Sequence, residues 1–281
     1  MESPRIVIIG GGFVGKATHL LCGPTAKIFD LRPELCVPRD CRWEDVLASD
    51  MAFVCVPTPM DASTGECHTG IVVSVIERLR QSAFSGDIVV RSTVPVGFCE
   101  KWQCHFFPEF LTEKQWARDI YECPQWIVGV FRDDEKIKRS LHTILCNAHN
   151  RGNITRTEAR FVTPTEAESI KLFRNTFLAT KIAFCNEWYT FCAHHHIDYE
   201  RVRSLATSDP RIGGSHTHVP GHDQRLGFGG TCLPKDIAST IRQFEKQQIP
   251  CPVMTAVQQR NDDLDRPSRD WASDIGRSVI R

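Results

Sequence analysis

Short apolar runs separated by longer amphipathic stretches recur through the first 157 residues. The runs are RIVIIG, AKIFD, MAFVCVP, DIVVRST, CHFFPEF and WIVGVF. Several are apolar at nearly every position, as strands buried on both faces of a parallel sheet are. Because most of the intervening stretches are long enough for helical crossovers, the pattern predicts a βαβ series and hence an α/β fold with a doubly wound parallel sheet.

The spacing of apolar positions becomes helical after this point. Thr163, Pro164 and Glu166 form a capping box with proline at the first helical position. Large apolar side chains then recur at helical spacing at Ile170, Phe173, Phe177, Phe184, Trp188 and Phe191. They predict a helix of about 30 residues, roughly 45 Å long. Further helical patterns begin near Lys235 and Val253, so we predict a boundary near residue 157 and an all-helical domain over residues 158–281.

Composition narrows the class of protein. The 281 residues carry 34 Lys+Arg and 34 Asp+Glu, so no net charge favours general binding to nucleic acid. No stretch has the ~18–20 apolar residues of a membrane helix. The start, MESPRIVIIGGG, enters a strand at once, and we expect no signal peptide. The thirteen cysteines are irregularly spaced and contain no CxxC pair. They predict reduced thiols and a cytoplasmic protein, with Cys22, Cys55, Cys146 and Cys185 as core residues.

A glycine pattern follows the first predicted strand. Gly10, Gly12 and Gly15 form GxGxxG and open a helix, and Asp30 ends the next strand twenty residues after Gly10. This is the arrangement of a Rossmann dinucleotide site, with pyrophosphate at the helix N-terminus and the carboxylate on the ribose. Asp30 favours NAD over NADP, although Arg32 is nearby. The alternative is a Rossmann-like domain that binds no dinucleotide.

Later strands add candidates for the same site, because ligands bind at the carboxyl ends of parallel strands. The stretches VPTP and RSTVP place threonine and proline at such ends. The predicted NAD-binding residues are therefore Gly10, Gly12, Phe13, Val14, Gly15, Asp30, Val56, Pro57, Thr58, Ser92 and Thr93. For residues 56–58, 92 and 93, ordinary turn positions are the alternative.

A second candidate site lies in GFGGTCLPKD at residues 227–236. Cys232 follows three glycines, which let a substrate and the backbone approach the thiol. Lys235 offers positive charge, and Asp236 offers a carboxylate to orient water or a base. A cysteine placed this way suits attack on a carbonyl carbon. A glycine-rich turn that contains a cysteine by chance is the alternative.

Seven stretches along the chain resemble the motifs of one family, in that family's order. They are GGGFVG, VPTP, STVPVG, PEFLTE, AESIKLFRNTFLATKIAFCNE, DPRIG and GFGGTCLPKD. Together they are similar to the UDP-glucose/GDP-mannose dehydrogenase family, whose members are NAD-dependent four-electron oxidoreductases. The resemblance covers nearly the whole chain.

The resemblance implies oxidation of a sugar CH2OH to a carboxylate, most specifically of UDP-glucose to UDP-glucuronate. Cys232 matches the nucleophile that traps the aldehyde as a thiohemiacetal, which a second hydride transfer converts to a thioester. Lys171 and Asn175 match the residues that stabilise the oxyanion. Asp236, with Lys171 and a water, matches the group that deprotonates the alcohol. Glu113 matches the base of thioester hydrolysis, and Glu109 and Thr93 match the residues that hold water for it. Lys171 and Asn175 are four residues apart and share a helix face.

Further positions match residues that bind ligands in the family. Lys235 matches a cofactor-binding position. The matched substrate-binding positions are Glu109, Phe110, Leu111, Lys171, Asn175, Arg211, Phe228 and Gly229. Arg211 in DPRIG matches an arginine that reaches the neighbouring subunit's site, so the resemblance implies a homodimer.

The chain departs from the family at its C-terminal end. Family members usually carry a further domain that covers the UDP moiety, and we expect a short form without it. The nucleotide sugar therefore stays open, with GDP-mannose or a UDP-N-acetylhexosamine as alternatives. A non-catalytic subunit that pairs with a full-length enzyme and a simple two-electron hydroxyacid dehydrogenase are further alternatives. His216, His218 and His222 fit no standard zinc spacing, and we expect a flexible loop facing the substrate phosphates rather than a metal site.

Overall fold

The computed structural model describes residues 4–280, which divide into two compact units. The first comprises the described residues up to Thr58 together with Thr69–Lys171, and the second comprises Pro59–His68 and the described residues from Leu172 onward. The division thus falls inside the long predicted helix. The boundary near residue 157, between two domains that fold separately, remains a prediction.

The described residues contain nine strands and ten α-helices. The strands are β1 Ile6–Ile9, β2 Lys27–Phe29, β3 Met51–Val54, β4 Met60–Asp61, β5 Asp87–Val90, β6 His105–Phe106, β7 Trp126–Gly129, β8 Ala159–Val162 and β9 Val279–Ile280. The helices are α1 Phe13–Cys22, α2 Trp43–Leu47, α3 Gly70–Gln81, α4 Phe98–Lys101, α5 Trp116–Tyr121, α6 Glu135–Asn150, α7 Pro164–His194, α8 Tyr199–Ala206, α9 Leu233–Lys246 and α10 Pro252–Arg260. Of these helices in residues 4–280, none is long and apolar enough to cross a bilayer.

The first unit is built on a seven-stranded sheet in the order β2-β1-β3-β5-β6-β7-β8. Adjacent strands are parallel except for β6 and β7, which run antiparallel. The predicted α/β sheet and all six predicted strands are confirmed, and β8 is an additional strand. Strand β2 lies on one side of β1, and the next strand in the chain, β3, lies on its other side. β1 and β3 therefore flank the switch point, which is where such sheets bind ligands.

The apolar runs of the sequence form the core of this unit. Val7, Ile8, Ala52, Phe53 and Val54 are all fully buried. They are covered by helices on both faces, which is why these strands lack an alternation of apolar and polar residues. Burial of each large apolar side chain contributes about 1.5–3 kcal/mol. This packing holds the carboxyl ends of β1, β3 and β5 in fixed positions.

Helix α7 begins and ends close to where the sequence predicts. The Thr163 backbone N–H donates to Glu166 Oε2 at 2.8 Å, and the Glu166 N–H donates to Thr163 Oγ1 at 3.3 Å. These two bonds are the predicted capping box. The helix has 31 residues. Its start packs against β7, since a Cβ on Gly129 would lie 2.6 Å from Pro164 Cα.

The second unit is mainly helical but contains a small sheet. Ala179, Ala183, Phe228, Ile237 and Ile241 form its buried core. Helix α9 begins at Leu233 and α10 at Pro252, as predicted near Lys235 and Val253. Strand β4 pairs in parallel with β9, so the prediction of an all-helical second part missed this pairing. Strands of two residues show no detectable alternation in the sequence.

Candidate active site

The turn after β1 contains three glycines with different structural roles. Gly10 has a φ of +107°, and a Cβ there would lie 2.5 Å from Cys55 O. A Cβ on Gly15 would lie 1.9 Å from Gly10 O, so only glycine lets α1 pack this closely on the turn. A Cβ on Gly12 would meet no atom within 4 Å. The structure therefore leaves open space at the glycine predicted to face the pyrophosphate.

Asp30 directly follows β2 and is bonded to this turn. Its Oδ2 accepts a hydrogen bond from Gly11 N at 2.7 Å, and its Oδ1 accepts one from Arg32 N at 2.9 Å. The carboxylate is thus held beside the glycines, where it suits a ribose hydroxyl and opposes a 2′-phosphate. The Arg32 side chain is largely exposed, with its Nε 3.7 Å from Asp30 Oδ1. These residues fit NAD.

The other predicted NAD-binding residues lie in the same unit, at helix α1 or after β3 and β5. Phe13 and Val14 form the first turn of α1, whose N-terminus has no side-chain cap. The Ser92 hydroxyl donates to Val56 O at 2.7 Å, which joins the ends of the two strands. Thr58 is buried, Thr93 is half-buried and Pro57 is exposed.

The contrast between two of the glycines gives a test of the NAD site. We expect Gly12→Ala to leave the melting temperature nearly unchanged and to weaken NAD binding at least about tenfold, because the methyl group would occupy space left for the pyrophosphate. Gly15→Ala should instead destabilise the fold by about 1–3 kcal/mol through overpacking. Titration calorimetry with NAD and thermal unfolding of both variants check this pair. Equal NAD affinity in wild type and Gly12→Ala would exclude this placement of the cofactor.

Lys171 and Glu109 form a buried ion pair in the first unit. Lys171 Nζ lies 2.9 Å from Glu109 Oε1, and the two side chains are 4% and 5% exposed. The second carboxylate oxygen, Oε2, accepts a hydrogen bond from Leu111 N at 2.8 Å. The ammonium also lies 5.5 Å from the centre of the Phe110 ring. The structure thus joins four predicted site residues. Glu113, the predicted hydrolytic base, lies in the exposed part of the loop that follows.

Sequence reasoning missed Glu168, which lies one turn before Lys171 on α7. This fully buried carboxylate accepts hydrogen bonds from Gly97 N at 2.6 Å and Cys99 N at 2.7 Å. Burial raises the pKa of Glu168, and the two amides partly oppose that effect. Glu168 ties the segment after Thr93 to α7. The only sequence signal is an acidic residue on an otherwise buried helix face.

Cys232 stands directly before α9 in the second unit. Its Sγ lies 3.6 Å from Thr231 Oγ1, and the side chain is half-buried. The N–H groups of the first turn of α9 supply positive charge near the thiol.

Asp236 is hydrogen-bonded to two other predicted site residues of the second unit, Asn175 and Lys235. Its Oδ2 accepts a hydrogen bond from Asn175 Nδ2 at 2.5 Å, and its Oδ1 accepts one from Lys235 Nζ at 2.5 Å. Burial alone would lower the pKa of Lys235, but the charge of Asp236 and the nearby thiols Cys67 and Cys232 raise it overall. Lys235 is therefore a cation near Cys232 at neutral pH.

The remaining predicted substrate residues occupy different environments. The Phe228 side chain is buried in the core of the second unit. Its predicted contact with a substrate would therefore come from its backbone. Arg211 is exposed and forms an ion pair with Asp209, with Nη2 and Oδ2 2.6 Å apart.

The cysteines other than Cys232 are mostly structural. Cys22, Cys55 and Cys185 are buried as predicted, whereas Cys146 is half-buried beside His142 and the prediction for it was wrong. Burial raises the pKa of Cys22 to about 12 and that of Cys55 to about 11. Within residues 4–280 no cysteines form a disulfide, and no group of three or more His, Cys, Asp or Glu side chains is arranged to hold a metal ion.

Comparison with known proteins identifies relatives that match about three quarters of the chain. UDP-glucose 6-dehydrogenase of Pseudomonas aeruginosa is 31% identical over 237 residues, which are 78% of this chain and 49% of that protein. The chain spans about half the length of the curated relatives it matches. Among solved structures, a UDP-glucose dehydrogenase from Pyrobaculum islandicum superposes with a TM-score of 0.77 at 23% identity, over 93% of this chain and 68% of that one.

Another solved structure shares the fold at nearly equal length. 3-Hydroxyisobutyrate dehydrogenase of Mycobacterium tuberculosis has a TM-score of 0.67 at 14% identity, over 94% of this chain and 96% of that one. Both structural likenesses concern the fold alone.

Family models match two long segments of the chain. Residues 39–145 match the NAD binding domain of the UDP-glucose/GDP-mannose dehydrogenase family, and residues 165–263 match the central domain of the same family. The two matches together cover more than half of the 281 residues; Glu109 lies in the first matched segment, and Lys171 and Cys232 lie in the second. The chain therefore belongs to the UDP-glucose/GDP-mannose dehydrogenase family and carries its NAD-binding domain.

Proposed function

We propose that this chain is an NAD-dependent nucleotide-sugar dehydrogenase that oxidises the C6 alcohol of UDP-glucose to the carboxylate of UDP-glucuronate. The observation that carries the proposal is the arrangement around Asp236, which lies in the first turn of the helix that follows Cys232 and accepts hydrogen bonds from Lys235 and from Asn175 on α7. A cysteine directly before a helix turn whose carboxylate holds an ammonium and an amide suits the trapping of an aldehyde better than it suits a simple alcohol oxidation.

The proposed reaction has two oxidation stages and one covalent intermediate. Bound NAD supplies the hydride acceptor, so that the balance is R–CH2OH + 2 NAD⁺ + H2O → R–COO⁻ + 2 NADH + 3 H⁺. Asp236, with Lys171 and a water, removes the proton of the alcohol in the first stage, and loss of the first hydride from C6 gives the aldehyde. The Cys232 thiolate then attacks the aldehyde carbon and gives a thiohemiacetal. Loss of the second hydride from that carbon gives a thioester.

The proposed oxyanion stabilisers are held in place by other side chains. Lys171 is paired with Glu109, and Asn175 is bonded to Asp236 through one of its two amide hydrogens. Fixed donors of this kind stabilise developing negative charge without reorganisation, which accounts for typically 10²–10³-fold in rate per donor. Water activated by Glu113, and held by Glu109 and Thr93, would cleave the thioester and release the acid.

The experiment that tests this function is the ratio of NADH formed to UDP-glucose consumed by the purified chain. We expect two NADH per sugar, followed by absorbance, with UDP-glucuronate as the product. One NADH per sugar would support a two-electron dehydrogenase. No NADH despite NAD binding would exclude UDP-glucose, and GDP-mannose and UDP-N-acetylhexosamines would then be tested. A chain inactive on all of these would be assigned as a non-catalytic subunit.

We also propose that the active form is a homodimer joined through the aromatic face of α7. Five large aromatic side chains along this helix are exposed, from 44% for Trp188 to 70% for Phe173; the others are Phe177, Phe184 and Phe191. Exposed apolar patches of this extent in soluble proteins usually mark interfaces. A face that runs along one helix can pair with its own copy across a two-fold axis. The resemblance to the family implies that Arg211 reaches the site of the neighbouring subunit in such a dimer.

The dimer proposal predicts the effect of charge on this face. We expect Trp188→Glu and Phe184→Glu to convert a dimer into a monomer, because each would bury an unpaired carboxylate in the interface. Ile249→Glu is the matched control, since Ile249 is also 44% exposed but lies outside α7. Light scattering during size-exclusion chromatography measures the mass. A wild-type monomer, or a dimer retained in both α7 variants, would contradict the proposal.

A further inference from the structure

The residues directly before Cys232 form a loop whose backbone is held by side chains from other elements. We call Gly227, Phe228 and Gly229 the glycine loop. Asn186 Oδ1 on α7 accepts a hydrogen bond from Gly227 N at 3.1 Å. Glycine residues have large conformational entropy when they are not restrained. The loop therefore depends on these outside contacts for a single conformation.

Asn261, at the end of α10, pairs with the glycine loop through both ends of its amide. Its Oδ1 accepts a hydrogen bond from Phe228 N at 2.7 Å, and its Nδ2 donates to Phe228 O at 3.1 Å. The Asn261 side chain is completely buried. A Cβ on Gly227, whose φ is +66°, would lie 2.4 Å from Asn261 Oδ1, so the fit leaves room only for glycine.

Arg266 covers the other end of the glycine loop. A Cβ on Gly229 would lie 2.5 Å from Arg266 Cζ, so the guanidinium rests directly against the backbone of Gly229. Arg266 donates two hydrogen bonds to Asp270, at 2.6 and 2.8 Å. Its Nη2 also lies 2.7 Å from Asp223 Oδ2, in the segment that leads into the loop.

The charges around Arg266 are balanced and restrained. Arg266 is buried, and the hydrogen bonds of Asp270 raise its pKa, so it stays cationic. The bond to Arg266 lowers the pKa of Asp270 in turn. Arg225 adds a further contact to Asp270 at 3.1 Å. The planar guanidinium group of arginine can donate hydrogen bonds to two carboxylates while it stacks on a peptide group, which a lysine ammonium cannot do.

We propose that Arg266 and Asn261 are positioning residues, which fix the glycine loop so that its backbone contacts the nucleotide sugar beside Cys232. Arg266 lies beyond residue 263, where the match to the family's central domain ends. The identity of the ligand rests on the function proposed above, whereas the restraint of the loop does not. The proposed function can therefore fail while the proposed restraint of the glycine loop holds, and the reverse is also possible.

The first test is amide hydrogen exchange of the ligand-free chain. We expect Arg266→Met to speed exchange in the peptide covering the glycine loop at least about tenfold, because local opening governs exchange. Peptides of the first unit should be unchanged. Arg266→Lys should give an intermediate rate, and Asn261→Asp should repeat the loss, since a carboxylate cannot donate to Phe228 O. Loop exchange in Arg266→Met equal to wild type would overturn the proposal.

The matched control is Arg269→Met. Arg269 lies in the same segment and is half exposed, with Nη2 3.4 Å from Asp263 Oδ1. It makes no hydrogen bond or ion pair to the glycine loop among the contacts of the described residues. We expect its exchange rates to match those of wild type. Faster exchange in all peptides of Arg266→Met would show unfolding of the chain rather than local opening of the glycine loop. In that case the exchange rate of the loop in Arg266→Lys would decide whether Arg266 restrains it.

The second test uses turnover of UDP-glucose. We expect Arg266→Lys to raise KM about tenfold while kcat changes less than about threefold, since uniform binding is lost and the chemistry is kept. Arg269→Met should leave both constants unchanged. An unchanged KM in Arg266→Lys would contradict the role in positioning. If wild type turns over no UDP-glucose, the proposed function fails, and hydrogen exchange alone decides the role of Arg266.

Discussion

Cys232→Ala is expected to reduce steady-state formation of UDP-glucuronate at least about 10³-fold, because the variant lacks the thiolate proposed to trap the aldehyde. The first hydride transfer does not form a bond to sulfur, so the variant should still produce NADH, up to about one per sugar. The observable is therefore a change in stoichiometry from two NADH to at most one. Absorbance of NADH and mass spectrometry of the sugar products measure it.

Cys251→Ala is the matched control for this experiment. Cys251 also stands directly before a helix with proline in its first turn, α10, and it is half-buried like Cys232. It lacks the neighbouring ammonium and carboxylate of the GFGGTCLPKD motif. We expect its stoichiometry to equal that of wild type. Two NADH per sugar in Cys232→Ala, with UDP-glucuronate as product, would refute the covalent mechanism.

The fold of the first unit was largely predictable from the sequence, since six apolar runs correspond to six strands. The reason is that parallel strands are buried on both faces and stand out as apolar runs. Strand β8 was missed because Arg160 and the half-buried residues around it dilute the apolar signal. The pairing of β4 with β9 joins residues more than 200 positions apart, and pairing at that distance leaves no local pattern.

The candidate site was predictable only where a motif carries it. The glycine turn, Cys232 and Asp236 lie in short stretches with recognisable spacing. Glu168 and Arg266 act through contacts to Cys99 and Gly229 that are distant in sequence. A carboxylate on a helix and an arginine near the end of a chain are usually surface residues. Their burial, and hence their role, becomes visible only in the folded chain.

The aromatic pattern of α7 shows a related limit. Phe177, Phe184 and Phe191 predicted the helix correctly, because helical spacing is set by the backbone. The same spacing suits a core-facing side and an interface-facing side equally well. The structure shows these side chains to be exposed in the single chain. The mass measurement described above therefore tests whether a second copy of the chain covers these side chains.

Lys171→Met is expected to destabilise the chain by about 3–5 kcal/mol, because it leaves the Glu109 carboxylate buried without its ammonium. The double variant Lys171→Met/Glu109→Gln should recover most of that stability, since glutamine is neutral and its oxygen can still accept from Leu111 N. Turnover should remain absent in both variants, because the proposed oxyanion stabiliser is missing from each. Urea unfolding and NADH formation measure the two effects separately.

Lys246→Met is the control for this pair, since Lys246 lies 2.7 Å from Glu66 on the surface, with both side chains well exposed. Exposed pairs contribute about 0–1 kcal/mol, and we expect stability and turnover close to wild type. Recovery of turnover in the double variant would show that Lys171 serves only to neutralise Glu109. Recovery of stability without turnover would instead assign the Lys171–Glu109 pair to the chemistry, because a purely structural ion pair can be replaced by a neutral one of similar volume.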